Sequence, residues 1–337
     1  MSGDVAGPGG PSTAVEVPAV AAALKGAAEA IRNAGTVALA CHVNPDGDAL
    51  GSTLALHHAL AAAGRPTVVS FPSPFVVAPH YRHLPGLEVL VPPERFPGAP
   101  EVMVTFDCGS LSRLGELAEA ARRAGELIVV DHHVSNDRYG TINVVDPDAA
   151  ASAVLARRLI AELGLELTDD VATCLYVGLV CDTGRFQYPS TTPAVFDLAA
   201  ELVAFDVPVA RLSRALFEEH RFAYLQLLAE ALQRAELVRE QSFVWTAVTQ
   251  EMLARHGVSL EEVEGLIDVV RRTSEADVAC VVREEPDGAF KVSLRSVGAT
   301  DVQRIAAANG GGGHRFAAGF TSHTDLGSTV ARVRAAL

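Results

Sequence analysis

The chain has 337 residues, 49% apolar, 20% charged and 6% aromatic, which is enough apolar material for a sizeable core and enough length for two domains. Its 27 Lys and Arg stand against 41 Asp and Glu, a formal charge of −14, so long nucleic acid is opposed and a polyanionic substrate must be met locally. No apolar run approaches the ~20 residues of a membrane span, and the opening MSGDVAGPGGPSTAVEV lacks the basic start and apolar stretch of a secretory signal, so a cytoplasmic protein with a disordered tail over residues 1–17 is expected.

After that tail, PAVAAALKGAAEAIRNAG has helical spacing and stops at Gly35. TVALAC reads as a strand, ALGSTLALHHALAAAG as a helix, RPTVVSF and EVMVTFD as strands, LSRLGELAEAARRAG as a helix and ELIVVD as a strand. Short apolar strands alternating with helices predict a parallel sheet covered on both faces, an α/β domain of the doubly wound kind. From about residue 149 the pattern is helical, through AAASAVLARRLIAELG and TDDVATCLYVGLVCDTG, and residues 193–236 read as a helical connector. A smaller mixed α/β region follows, with strands at SFVWTAVT, ADVACVVREE and AFKVSLRS. A Pro-Asp-Gly turn marks the last two as a hairpin. The predicted division places one domain at 18–220 and a second at 221–337, with the boundary between 220 and 235.

Chemistry in such sheets collects at the carboxyl ends of the strands. His42, Asp46 and Asp48 follow the first strand. Asp107 ends EVMVTFD, Asp131 with His132 and His133 ends ELIVVD, and Asp182 closes a helix. A turn or a helix cap explains any one of these acids. Their convergence would crowd like charges that must bind protons or recruit cations. Carboxylates with imidazoles suit Mn²⁺ or Mg²⁺, and two ions ~3.5–4 Å apart would polarise a phosphoryl group and activate water. The five cysteines, at 41, 108, 174, 181 and 280, have no CxxC spacing. They suggest neither disulfides nor a zinc ribbon and read as buried thiols.

A second constellation is GGGGHRFAAG at 310–319. A glycine run is commonly a flexible linker, but this one follows a helical stretch, contains His314 and leads into an apolar strand, as an amide-lined phosphate cradle would. Arg295, ending the preceding strand, is either a surface residue or a phosphate clamp.

The ordered set HxNPDGD, Asp107, DHH at 131–133, Asp182, SLRS and GGGGHRFAAG resembles the DHH phosphoesterase superfamily with its DHH-associated C-terminal domain. The likeness extends over roughly residues 30–325. Size and layout are similar to the nanoRNase and pAp phosphatase branch, which also contains linear and cyclic dinucleotide phosphodiesterases. The resemblance implies two Mn²⁺ ions, one held by His42 and Asp46, the other by Asp48, His132 and Asp182, with Asp107 bridging. It gives Asp131 the orientation of His132 and gives His133 a contact with the scissile phosphate. Arg295, Ser296, Gly311, Gly312, Gly313 and His314 would bind the phosphate and nucleotide end of the substrate. Asn309 departs from the apolar or aromatic residue of many relatives, which bears on base stacking. Homodimers are common in such proteins.

The function this implies is hydrolysis of very short RNA and dinucleotides such as pApA, with 3′-phosphoadenosine 5′-phosphate as a further substrate and no membrane partner. A cyclic dinucleotide phosphodiesterase or sensor is the alternative. A pyrophosphatase is disfavoured by the GGGGH element, and a RecJ-like exonuclease by the lack of sequence for a further domain.

Overall fold

A computed structural model describes residues 18–337; the tail expected over 1–17 lies outside them. The chain divides into two compact units. One runs to Val77 and again over Tyr81–Leu216; the other comprises Ala78–His80 and Phe217–Leu337.

In the first unit the elements are α1 (Pro18–Asn33), β1 (Val37–Cys41), α2 (Gly47–Ala62), β2 (Thr67–Ser70), β3 (Val102–Phe106), α3 (Ala118–Arg122), β4 (Glu126–Asp131), β5 (Ile142–Val145), α4 (Ser152–Glu162), α5 (Asp169–Asp182), α6 (Pro193–Val203) and α7 (Val209–Phe217). The strands form one parallel sheet in the order β2-β1-β3-β4-β5, with Leu39 beside Val69 on one side and Val104 on the other. Every residue of β1 and β3 is buried, as a sheet covered on both faces requires. The order reverses between β1 and β3, and such a switch point opens a crevice at the carboxyl ends of the strands.

Helix α1 buries one stripe, Val20, Leu24, Ala27, Ala28 and Ile31. Helices α2 and α5 are instead buried almost all round and approach through glycine. A methyl group on Gly51 would lie 2.4 Å from the Cys174 carbonyl oxygen, and one on Gly178 would lie 2.8 Å from Asp48 Oδ1.

Two features differ from the sequence reading. The helix expected over 111–125 is broken: Gly115 takes φ 48°, ψ −129°, with Pro72 close enough that a Cβ there would sit at 2.9 Å, and regular α-helix is confined to Ala118–Arg122. The strand β5 was missed because four residues carry too little periodicity; pairing with β4 defines it, Ile142 beside Ile128.

The second unit continues with α8 (Phe222–Gln233), β6 (Glu236–Val238), β7 (Phe243–Val248), α9 (Gln250–His256), α10 (Leu266–Val270), β8 (Val278–Glu284), β9 (Phe290–Ser296), α11 (Val302–Ala307), β10 (Gly312–His314), β11 (Ala317–Ser322) and α12 (Leu326–Ala335). Its mixed sheet has the order β10-β11-β9-β8-β7-β6, and only β7 and β8 run parallel. The hairpin between β8 and β9 closes with Gly288 at φ 85° and a bond from the Glu285 amide to the Ala289 carbonyl. Along β8, Ala279 and Val281 join Leu227, Met252 and Ile267 on one side. The alternate residues Cys280 and Val282 join Leu294, Val302 and Phe320 on the other.

The glycine run is neither a linker nor an open loop. Gly310, at φ 78°, ends the turn after α11, and the Gly311 amide donates to the Ala306 carbonyl at 2.9 Å. Gly312–His314 then forms the edge strand β10, with Gly312 opposite Gly319 and His314 opposite Ala317. A Cβ on Gly311 would meet the Gly319 carbonyl oxygen at 2.1 Å, so glycine is needed there for close packing. Its amide is already committed, which corrects the expectation that Gly311 contributes to an open cradle.

Candidate metal centre

Strand ends and helix starts build the site in the first unit. His42 follows β1. Asp46 caps α2, its Oδ1 accepting from the amides of Asp48 and Ala49 at 3.0 Å each. Asp48, in the first turn of α2, is fully buried and is received by the start of α4: Oδ2 accepts from the Ser152 amide at 2.6 Å and Oδ1 from the Ala153 amide at 2.9 Å. Asp107 follows β3 in a left-handed conformation, φ 53°, rare outside glycine. Its amide donates to the Val130 carbonyl and its Oδ1 accepts from Ser152 Oγ at 3.0 Å. Asp182 is the last residue of α5.

Asp107 stands between two histidines. Its Oδ2 lies 3.4 Å from His42 Nε2 and its Oδ1 3.5 Å from His132 Nε2. His42 Nε2 is also 3.8 Å from Asp46; His132 Nε2 is 3.8 Å from Asp48 and 3.0 Å from Asp182. Both rings are fixed by backbone: Nδ1 of His42 meets the Val43 carbonyl at 2.8 Å, and Nδ1 of His132 meets the Ala149 carbonyl at 3.1 Å. A carbonyl accepts only, so each Nδ1 carries the proton and Nε2 faces the acids. Possible ligand atoms of His42, Asp46 and Asp107 lie within 4.8 Å of one another, as do those of Asp48, Asp107 and His132.

Asp131 plays another part. Its Oδ1 accepts from the His132 amide at 2.9 Å and from His133 Nδ1 at 2.7 Å, while Oδ2 accepts from Asn136 Nδ2. The carboxylate expected to orient the His132 ring therefore grips that residue's backbone and the His133 ring instead. Asn136 Nδ2 and Tyr139 OH also donate to the Cys108 carbonyl, at 3.4 and 3.0 Å, which ties the turn after β4 to the turn after β3.

The electrostatics are strained. Burial, with repulsion from Asp107 and Asp182, pushes the Asp48 carboxyl well above the usual carboxylate range. Burial likewise raises Asp182, against the pull of His132. Asp107 is opposed by burial yet held well below its ordinary value by His133, His42 and His132. Burial and Arg113 both disfavour the His42 imidazolium, but Asp107 and Asp46 prevail and carry it up to about 9. His132 moves strongly the same way despite burial, through Asp182, Asp107 and Asp48. Several buried acids are thus tolerated only by sharing protons with the imidazoles, a role that divalent cations would fill. The donor set, carboxylate oxygens and imidazole nitrogens without thiolate, fits a hard divalent ion.

Every expected metal-site residue, together with Asp131 and His133, falls in this one place. Sequence reasoning missed Ser152, Asn136 and Tyr139. Ser152 opens a helix 104 residues beyond the acid that it holds, a pairing without a local signal. The cysteines beside ligands behave as anticipated: Cys41 and Cys108 are buried, and burial raises the Cys108 thiol to about 11.

Of the residues expected to bind substrate, Arg295 lies on β9, with Nη1 donating to the Leu294 carbonyl at 3.1 Å and Nε 3.8 Å from Asp268. Ser296 is 5% exposed and its hydroxyl donates to Asp277 at 3.2 Å. The same carboxylate receives the amide and hydroxyl of Thr300 at 3.0 and 2.6 Å. Ser296 thus shapes the 297–300 turn, and its hydroxyl is spoken for.

A parallel sheet with this switch point, carrying acids and imidazoles at its strand ends, and a separate mixed-sheet unit match established families. The N-terminal domain of the DHH family matches residues 36–179 and the DHHA1 domain matches residues 242–337; the chain belongs to the DHH family. Among its relatives, the bifunctional oligoribonuclease and PAP phosphatase NrnA of Thermus thermophilus is 36% identical over 304 residues, covering 89% of this chain and 88% of that protein. The NrnA of Bacillus subtilis is 27% identical over 292 residues, covering 84% and 88%. An exopolyphosphatase-related protein from Bacteroides fragilis has the same fold, with a TM-score of 0.85 at 24% identity over 94% of this chain and 95% of that one. Among the described residues no helix is long and apolar enough to cross a membrane.

Proposed function

We propose that this protein is a divalent-metal-dependent phosphoesterase that cleaves very short RNA and dinucleotides such as pApA to mononucleotides, and that also removes a phosphate from 3′-phosphoadenosine 5′-phosphate. The names of the NrnA relatives supply the substrate class. The observation that carries the reading is the placement of Asp107 between His42 and His132, with Asp46, Asp48 and Asp182 around them.

His42 and Asp46 would hold one ion, Asp48, His132 and Asp182 a second, and Asp107 would serve both; Mn²⁺ is the preferred occupant and Mg²⁺ the alternative. Bound there, such cations supply Lewis acidity toward a phosphoryl group and lower the pKa of water. The chain's own residues do the positioning. The α4 amides fix Asp48, the Val43 and Ala149 carbonyls set the two imidazole tautomers, and Asp131 aims His133 for contact with the scissile phosphate.

In the proposed division, residues 18–220 carry the metal centre and 221–337 bind substrate through Arg295, Gly312, Gly313 and His314. The −14 charge suits small substrates better than long strands. A homodimer in the cytoplasm completes the reading. The test is product analysis of Mn²⁺-loaded protein with pApA, cyclic di-AMP, 3′-phosphoadenosine 5′-phosphate and short RNA. Release of mononucleotide from pApA, lost in Asp107→Ala, supports the proposal. A protein that bound cyclic di-AMP and left all four substrates intact would instead be a sensor.

A further inference from the structure

In the first unit, the 3₁₀ turn at Leu111–Leu117 follows β3 and Asp107. Leu114 and Leu117 are buried against Met103 and Ala121, and Leu111 packs on the same cluster. Residues three apart share one side of a 3₁₀ turn, so Arg113 stands off that apolar side and is half-buried. Its backbone is tied to the metal centre. The Arg113 carbonyl accepts from the Val43 amide at 2.9 Å, and the Val43 carbonyl accepts from His42 Nδ1 at 2.8 Å. The Arg113 amide is held in turn by the Ser110 carbonyl at 3.1 Å.

The side chain acts on that centre without bonding to it. Its opposition to the His42 imidazolium is second only to burial, and its charge also reaches the Cys108 thiol next to Asp107. Yet among the described residues the guanidinium donates no hydrogen bond and pairs with no carboxylate. The nearby acids are occupied. Asp46 Oδ1 takes the amides of Asp48 and Ala49, Asp107 faces His42 and His132 and takes the Ser152 hydroxyl, and Asp131 takes His133 and Asn136. An unpaired guanidinium there repels the very ion that the acids attract. Such a cation suits an anion that shares the site with the metal.

We propose that Arg113 binds the reacting phosphate of the substrate, its guanidinium fork taking non-bridging oxygens on the His42 side of the centre. The inference rests on the phosphoesterase reading and adds to it a residue of the first unit that contacts the phosphoryl group. Arg113 then has two opposed effects. It weakens the hold on divalent ions, because like charges repel, and it strengthens the hold on phosphate, because a guanidinium meets two oxygens in a charge-assisted pair. A residue that merely shaped the turn would move both affinities in the same direction.

The test uses the 337-residue chain with Arg113→Met, which keeps an apolar stem and removes the charge, and Arg113→Lys, which keeps the charge without the fork. Calorimetry measures Mn²⁺ binding to each metal-free protein and inorganic phosphate binding to each at saturating Mn²⁺, and kcat/KM is read on pApA. Arg113→Met should bind Mn²⁺ about threefold more tightly, the scale of a unit charge opposing a divalent ion at ~10 Å in water. It should bind phosphate about tenfold more weakly, the scale of one lost bond to a charged group, and kcat/KM should fall at least as far. Arg113→Lys should match wild type for Mn²⁺ and lie between wild type and Arg113→Met for phosphate. Unchanged phosphate affinity in Arg113→Met, or Mn²⁺ and phosphate affinities that fall together, overturns the assignment. Should the wild-type chain leave pApA intact, the phosphoesterase reading fails while the two affinities still decide the role of Arg113.

Discussion

The two units treat charge in opposite ways. In the first, acids and imidazoles are buried together and locked by short bonds, such as the 2.6 Å contact of the Ser152 amide with Asp48 and the 2.7 Å contact of His133 with Asp131. In the second, Arg283 and Arg295 sit 3.6 and 3.8 Å from the carboxylates of Glu264 and Asp268. The contrast teaches where the chain locks its charged groups in place with short hydrogen bonds. Fixed ligand geometry of the kind the first unit shows is what a metal centre would need before an ion arrives.

The contrast breaks most severely at Asp107. Replacement by Asn removes the charge facing both His42 and His132, and kcat on pApA should fall by about three orders of magnitude, several kcal/mol of transition-state stabilisation; steady-state kinetics at saturating Mn²⁺ checks this. Asn136 comes next. Alanine there frees Asp131 Oδ2 and loosens the Cys108 turn, so activity or metal affinity should drop about 10- to 100-fold, measured by Mn²⁺ titration beside kcat. A smaller effect follows from crowding. Gly178→Ala would push a methyl group against Asp48 Oδ1 and the Ala153 side chain, lowering stability by about 1–3 kcal/mol. Chemical denaturation with and without Mn²⁺ reads that change.

The acid–imidazole site also predicts a pH response of the metal-free chain. His42 is raised from 6.5 to about 9, and His132 and His133 shift upward with it. Groups raised in this way stabilise the fold fully below their unfolded pKa, and that contribution is lost as pH climbs through the folded value. The melting temperature of chelator-treated protein should therefore decline between pH 6.5 and about 9. The stabilisation gained from Mn²⁺ should grow over the same interval, because ligation requires deprotonated imidazole and carboxylate. Differential scanning at several pH values tests both signs.

Much of this was legible in the chain. The alternation of short apolar strands with helices gave the parallel sheet, and acids placed just after those strands pointed to its carboxyl edge. Helices α2 and α5 were readable from length and apolar content, though not that glycines at 51 and 178 let them touch. What escaped depends on distance along the chain or on a single dihedral angle. Ser152 is tied to Asp48 by proximity in space alone, Gly115 breaks a helix through one positive φ, and the glycine run gains its strand character from pairing with Ala317–Gly319. Ser296 and Gly311, both expected to touch substrate, are engaged inside their own unit by partners that no motif records.

The account stands on divalent ions being held among His42, Asp46, Asp48, Asp107, His132 and Asp182. Anomalous diffraction from crystals of the 337-residue chain grown with Mn²⁺ tests this most directly. Two peaks flanking the Asp107 carboxylate, one beside His42 and the other beside His132, are predicted; peaks elsewhere, or none at this position at saturating Mn²⁺, would contradict it.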